Sequence, residues 1–113
     1  MLASAYRLKG SEEIDEVKSK GKTYQSESFG VSILARGDND YSKFAFIVSK
    51  KISKLAVHRN RIERALNEGS RRAVMRVPKG YNFVFLAKKS ISTKGTEEIL
   101  RETENFFIKL ELK

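Results

Sequence analysis

The sequence predicts a single α+β domain in the order α-β-β-α-β-α, on three observations. Apolar residues alternate with a period of two in three stretches, as in half-buried strands. Around those stretches the period shifts to 3.6, as in amphipathic helices. The 113 residues hold one proline and no cysteine and show no internal repeat or linker, so residues 1–113 are expected to form one domain around a modest core.

The first element is a short helix over residues 11–17. Ser11 is placed to cap it, Glu12 and Glu13 suit the positive end of its dipole, and Gly21 is placed to stop it. Its apolar face is only Ile14 and Val17, so it must lean on the rest of the domain. Phe29, Val31, Ile33 and Ala35 then alternate with Gly30, Ser32 and Leu34 as a strand. Gly37-Asp38-Asn39-Asp40 is a turn signal, and a second strand follows over about residues 41–49 with Phe44, Phe46 and Val48 on one side. The two strands are expected to pair as an antiparallel hairpin. Over about residues 56–75, Ile62, Ala65, Leu66, Gly69 and Ala73 form a helical stripe. Gly69 costs that helix roughly 1 kcal/mol against alanine and suits close packing on the sheet. Pro78-Lys79-Gly80 ends the region, and residues 81–87 are a third strand. A last helix begins near Thr96, its expected cap. It carries Ile99, Leu100, Thr103, Phe106, Phe107 and Leu110 on one stripe, a spacing that belongs to the core rather than to a ligand site.

Composition excludes several classes of protein. Hydrophobic residues at 40% are too many for a disordered tail. No apolar run approaches the roughly 20 residues that span a bilayer, and residues 1–7 lack the apolar stretch of a secretory signal, so a cytoplasmic protein is expected. Without cysteine there is neither a disulfide framework nor a thiolate metal site. Charge is more informative. Between Lys43 and Arg76 stand ten Lys or Arg against Glu63 and Glu68, so this segment holds +8 of the formal +9. Concentrated charge of one sign points to a polyanion, with a merely solvated basic face as the alternative.

Within that segment, residues 49–64 run from the end of a strand through a basic loop into a helix. At 3.6 residues per turn, Asn60, Arg64, Asn67 and Arg71 fall within about 60° of one another, opposite Ile62 and Ala73, with Arg59 and Arg61 alongside. Guanidinium forks bind phosphate bidentately, and free N–H groups at a helix start attract anions. Asparagine adds a donor and an acceptor suited to sugar hydroxyls or base edges. Exposed arginines on an amphipathic helix are common. The adjacency of Lys50-Lys51, Lys54 and Arg59-Asn60-Arg61 favours a nucleic-acid face. His58 reads as a polar residue between loop and helix that touches RNA, rather than as a metal ligand or proton shuttle. A serine nucleophile would have only His58 as its base, and no Gly-rich phosphate loop or paired carboxylates are present, so no catalytic or metal-binding residue is assigned.

Ser49-Lys50-Lys51, followed about ten residues later by Arg59-Asn60-Arg61-Ile62, resembles the signature of the bacterial ribonuclease P protein family. Arg7-Leu8, Gly21-Lys22, the run from Phe44 to Ser49, Gly80-Tyr81 and Ala87-Lys88-Lys89 fall in the same order. The resemblance covers nearly the whole chain. It implies a left-handed β-α-β crossover, against the usual right-handed rule. It also implies a protein that assists a catalytic RNA, which uses magnesium ions, in removing the 5′ leader from precursor tRNA; the chain itself binds no cofactor. By this resemblance Lys50, Lys51, Lys54, His58, Arg59, Asn60, Arg61 and Arg64 face the ribonuclease P RNA, with a second contact at Arg71 and Arg72. A cleft between the sheet and the first helix takes the precursor tRNA leader along Ile14, Lys18, Ser32, Phe46 and Ser49. Ile14 and Lys18 stand where family members commonly carry phenylalanine, so leader contacts are expected to rely less on stacking. Three rivals remain: a general or ribosome-associated RNA chaperone, a helix-turn-helix DNA binder, and a protein-only nuclease. The expected partners are RNA, with neither membrane nor DNA.

Overall fold

In the computed structural model, which describes residues 2–111, every expected strand and helix forms, and a short extra strand joins them. The elements are α1 (Ser11–Lys20), β1 (Lys22–Gln25), β2 (Phe29–Ala35), β3 (Lys43–Ile47), α2 (Ala56–Ala73), β4 (Tyr81–Ala87) and α3 (Thr96–Lys109). Single 3₁₀ turns at Val74–Arg76 and Lys89–Thr93 follow α2 and β4, so the second helix ends slightly before its expected bound. The expected caps shift by one residue. Gly10 precedes α1 and Gly95 precedes α3, where Glu98 Oε1 accepts the Gly95 N–H at 3.3 Å.

The strands make one sheet in the order β1-β2-β4-β3. β2 pairs antiparallel with β1 and β4, whereas β3 lies parallel to β4. The expected antiparallel hairpin of β2 with β3 is thus corrected: β4 sits between them. Its residues Asn82, Phe83, Val84 and Phe85 are all buried, so β4 has no solvated face and suits the interior of the sheet. The turn over residues 37–40 wraps the start of β4 instead of folding β2 onto β3. Arg36 donates to Asp38, to the Tyr81 and Tyr41 carbonyls and to Asn82 Oδ1, and Asp40 O accepts the Gly80 N–H at 2.9 Å.

Strand alternation gives the sheet two apolar faces. Phe29, Val31, Ile33, Phe44, Phe83 and Phe85 form the larger core with Ile62, Ala65 and Leu66 of α2 and Ile99 and Phe107 of α3. Phe44 stacks on Phe83 at 4.8 Å, and Phe107 meets both edgewise. On the opposite face Ala45 and Val84 pack with Leu8 and with Val17 of α1, while Ile14, Leu34, Ile47 and Leu86 are partly buried around them. The N-terminal segment reaches this face by pairing beside β3, where Phe44 O accepts the Leu8 N–H at 2.9 Å. Gly21 closes α1 directly above β2. A Cβ there would lie 2.5 Å from Val17 O and 2.9 Å from Ile33 O.

α2 and α3 lie side by side in the same direction. Arg61 reaches the start of α3, Gly69 its middle and Arg72 Glu104 beyond. Close packing at Gly69 is therefore against a helix, not the sheet as expected: a Cβ on Gly69 would fall 2.6 Å from Thr103 Cβ.

Candidate nucleic-acid interface

Because β3 and β4 are parallel, both run out at one end of the sheet, and both following helices begin there. This topology gathers cations that are distant in sequence. After β3, Ile52 is held against the core and donates its N–H to Ser49 O at 3.0 Å. The turn so formed leaves Lys50 and Lys51 exposed. Ser53 then links loop to helix. Its hydroxyl accepts the Leu55 N–H at 3.2 Å and its carbonyl accepts Arg59 Nη1 at 2.9 Å. Arg61 donates to Thr96 Oγ1 at 3.0 Å and to Lys94 O at 3.2 Å, tying α2 to the start of α3.

Lys50, Lys51, Lys54, Asn60 and Arg64 are exposed; His58, Arg59 and Arg61 are half-buried. Among the described residues, Lys50, Lys51, Lys54, Arg59, Arg61 and Arg64 have no carboxylate partner. The first half of α2 and the loop before it thus carry these six cations against one acid, Glu63. The positive end of the helix dipole lies among them and no acid occupies the first turn. His58 stands in that first turn, away from any metal-ligand set. Among the described residues no three His, Cys, Asp or Glu side chains are gathered so as to hold a metal.

The second half of α2 differs from the sequence expectation. Asn67, assigned to the polar face, is buried, and its Oδ1 accepts the Leu2 N–H at 2.8 Å. Arg71 and Arg72, expected as a second RNA contact, are exposed and paired with carboxylates of the protein. Arg71 grips the Glu68 carboxylate with Nε at 2.9 and 3.0 Å and with Nη2. Arg72 Nη1 donates to Glu104 at 3.1 Å, with its Nε 3.8 Å from Glu68. The Arg71 hydrogen bonds draw the Glu68 carboxyl down to about 2, so it stays ionised.

The expected leader positions do not share one surface. Ile14 is half-buried and Lys18 exposed on α1, and Ser49 is exposed beyond the end of β3. Ser32 lies on the α1 side of the sheet but is buried, its hydroxyl 3.5 Å from Thr23 Oγ1. Phe46 points to the opposite face, where its ring lies 5.1 Å from that of Phe85 in the larger core. Alternation along β3 forces this, because Phe44 and Phe46 share a face while Ala45 and Ile47 share the other. The half-buried apolar residues on the α1 side of the sheet are Leu34, Ile47 and Leu86, the last two being register partners; the sequence reading did not place them in the cleft. Lys88 and Lys89 at the end of β4, which the sequence reading did not assign to the site, are further cations at this end of the sheet. Their pattern, a Lys-Lys pair just after a strand, repeats that of Lys50-Lys51, and the parallel pairing brings both to one end. Lys88 also donates to Ser26 O at 2.7 Å, tying this end to the turn after β1.

A compact α+β domain with cations gathered at one end has the charge distribution expected of a polyanion-binding protein. The ribonuclease P family model matches residues 2–111. A ribonuclease P protein component from a Pseudanabaena species is 30% identical over 109 residues, covering 96% of this chain and 94% of that one. Another from Clostridium beijerinckii is 34% identical over 102 residues, covering 85% and 81%. The solved ribonuclease P protein of Thermotoga maritima superposes with a TM-score of 0.79 at 26% identity, over 93% of this chain and 97% of that one. That of Staphylococcus aureus gives 0.82 at 24%, over 90% and 92%. The chain belongs to the ribonuclease P protein family.

Proposed function

We propose that this chain is the protein subunit of a ribonuclease P ribonucleoprotein that matures the 5′ end of tRNA, and that it docks on the RNA subunit through the cationic end of the domain. The observation that carries this reading is the gathering of Lys50, Lys51, Lys54, Arg59 and Arg64, without carboxylate partners among the described residues, around the start of α2. Arg61 holds the start of α3 in place beside them. Asn60 and His58 supply donors and acceptors for sugar or base edges.

Both the RNA subunit and its precursor substrate are polyanions, and their mutual repulsion must be offset by magnesium or by protein cations. The chain acts by supplying those cations in a fixed arrangement. Hydrolysis belongs to the RNA and its magnesium ions. Glu68 of α2 and Glu104 of α3 are engaged by arginines rather than turned together as a metal site. The leader lies along the α1 side of the sheet, against Ile14, Lys18, Ile47 and Leu86, with Ser49 at its exit. A DNA-reading helix-turn-helix is disfavoured because β3 and a loop precede α2 where a helix would stand. No helix among the described residues is long and apolar enough to cross a membrane.

The test is reconstitution. A bacterial ribonuclease P RNA transcript is mixed with precursor tRNA at magnesium too low for the RNA alone, with and without the chain. Leader release only with the chain is expected. Equal stimulation by an unrelated basic RNA chaperone would replace this reading with a nonspecific one.

A further inference from the structure

We infer that Glu68 and Glu104 mask the second half of α2 from RNA, so that docking is confined to the first half and the helix is read in one direction. This rests on the proposed RNA-binding role of α2. The ten cations between Lys43 and Arg76 look like one basic segment in the sequence. In the fold they divide. Lys50, Lys51, Lys54, Arg59 and Arg64 carry no carboxylate partner among the described residues, whereas Arg71 and Arg72 pair with Glu68 and Glu104. Arg61 is bonded to the start of α3, and Lys43 and the exposed Arg76 lie outside α2.

The geometry makes this masking more than neutralisation. Arg71 spends Nε and Nη2 on Glu68, the edge of the guanidinium that binds phosphate bidentately. A phosphate approaching that edge would meet a carboxylate that remains ionised, because the same arginine holds its pKa low. Arg72 is turned toward α3 by Glu104, a partner 32 residues away that only the folded α2–α3 pair supplies. Exposed ion pairs of this kind add little to stability, so folding alone gives them a small role. Their effect on the electrostatic field is larger. The positive helix terminus and Arg59 and Arg64 lie in the first half of α2 and the paired Arg71 and Arg72 in the second, with exposed Arg76 beyond the helix, so within α2 the cations open to a polyanion lie in the first half.

The salt dependence of binding to a bacterial ribonuclease P RNA transcript reads this directly, since each phosphate neutralised adds roughly 0.7–0.9 to the log–log slope. Arg64→Ala is expected to lower the slope by about one such increment. Arg71→Ala/Arg72→Ala is expected to leave it unchanged. Glu68→Gln/Glu104→Gln, which frees both arginines, is expected to steepen it by up to about 1.4–1.8, two increments. A slope lowered by Arg71→Ala/Arg72→Ala would show that these arginines already hold phosphate and would overturn the mask. That arm decides the matter even if the glutamine variant proves unfolded by circular dichroism. A folded glutamine variant with an unchanged slope also overturns it, provided Arg64→Ala responds. If Arg64→Ala has no effect either, the docking reading itself fails.

Discussion

Replacing Gly69 by alanine probes the contact that fixes the cation-bearing helix α2 on α3. The new Cβ would lie 2.6 Å from Thr103 Cβ, 2.9 Å from Thr103 Cγ2 and 3.0 Å from Leu100 O. Carbon atoms in good contact sit about 3.5–4.0 Å apart, so the helices must separate by roughly 1 Å. Rotating Thr103 brings no relief. Its Cβ is fixed by the backbone, and its hydroxyl donates to Ile99 O at 2.8 Å. Overpacking of this kind costs about 1–3 kcal/mol, against about 1 kcal/mol gained by removing a mid-helix glycine. The net expectation is a loss of up to about 2 kcal/mol, measured as a lower urea midpoint at unchanged m-value. Thr103→Ser in the same chain should recover only the share due to Cγ2. A more stable Gly69→Ala protein would refute the reasoning, because propensity alone would then govern the site.

Arg64→Ala is expected to weaken binding to the RNA subunit by about 1–3 kcal/mol with the fold intact, whereas Arg61→Ala should also lower the melting temperature because it releases Lys94 O and Thr96; titration and thermal melts together separate the two. Burial alone would raise the Glu102 carboxyl, but hydrogen bonds from Ser26 Oγ and the Ser28 N–H outweigh it and hold the carboxyl below its ordinary 4.5. The unfolded chain then binds the proton more readily, so this contribution to stability is present above about pH 4.5 and lost as pH falls through the lower folded value; Glu102→Gln should flatten the acid side of the stability profile. Ile47→Ser is expected to reduce the preference for precursor over mature tRNA with little effect on folding, whereas Phe46→Ser should lower thermal stability through the lost contact with Phe85.

Much of this was legible in the sequence because the strong periodic signals are local. The stripe Ile62, Ala65, Leu66 and Ala73 and the strand residues Phe29, Val31 and Ile33 are buried as the helical spacing and the alternation predict, although Gly30 and Ser32 are buried as well and Ala35 is exposed at the strand end. The short strand β1 escaped notice because only Tyr24 of Lys22-Thr23-Tyr24-Gln25 is even half-buried, leaving no apolar alternation to detect. Pairing order was the larger loss. A turn signal at Gly37–Asp40 suggests a hairpin, but what decides the matter is β4, whose both-sided apolar character favours the sheet interior. At the candidate site the Lys50–Arg64 surface followed from the one-dimensional order. The burial of Asn67 depends on Leu2 and the pairing of Arg72 on Glu104, partners 65 and 32 residues away that no helical wheel contains. Phe46 was different. Its alternation with Phe44 already placed it on the core side, so the sequence itself carried the signal against a leader contact.

The central claim is that the cationic end of the domain, and not another surface, faces the RNA subunit. The chain has no cysteine, so a single introduced one can carry a tethered iron chelate whose hydroxyl radicals cut nearby RNA. Val57, 83% exposed in the first turn of α2, suits the probe, and the exposed Asn39, in the turn between β2 and β3, suits the control. Localised cuts in the ribonuclease P RNA from Val57→Cys and none from Asn39→Cys are the predicted result. Cuts from Asn39→Cys alone, or equal scattered cutting from both, would contradict the account.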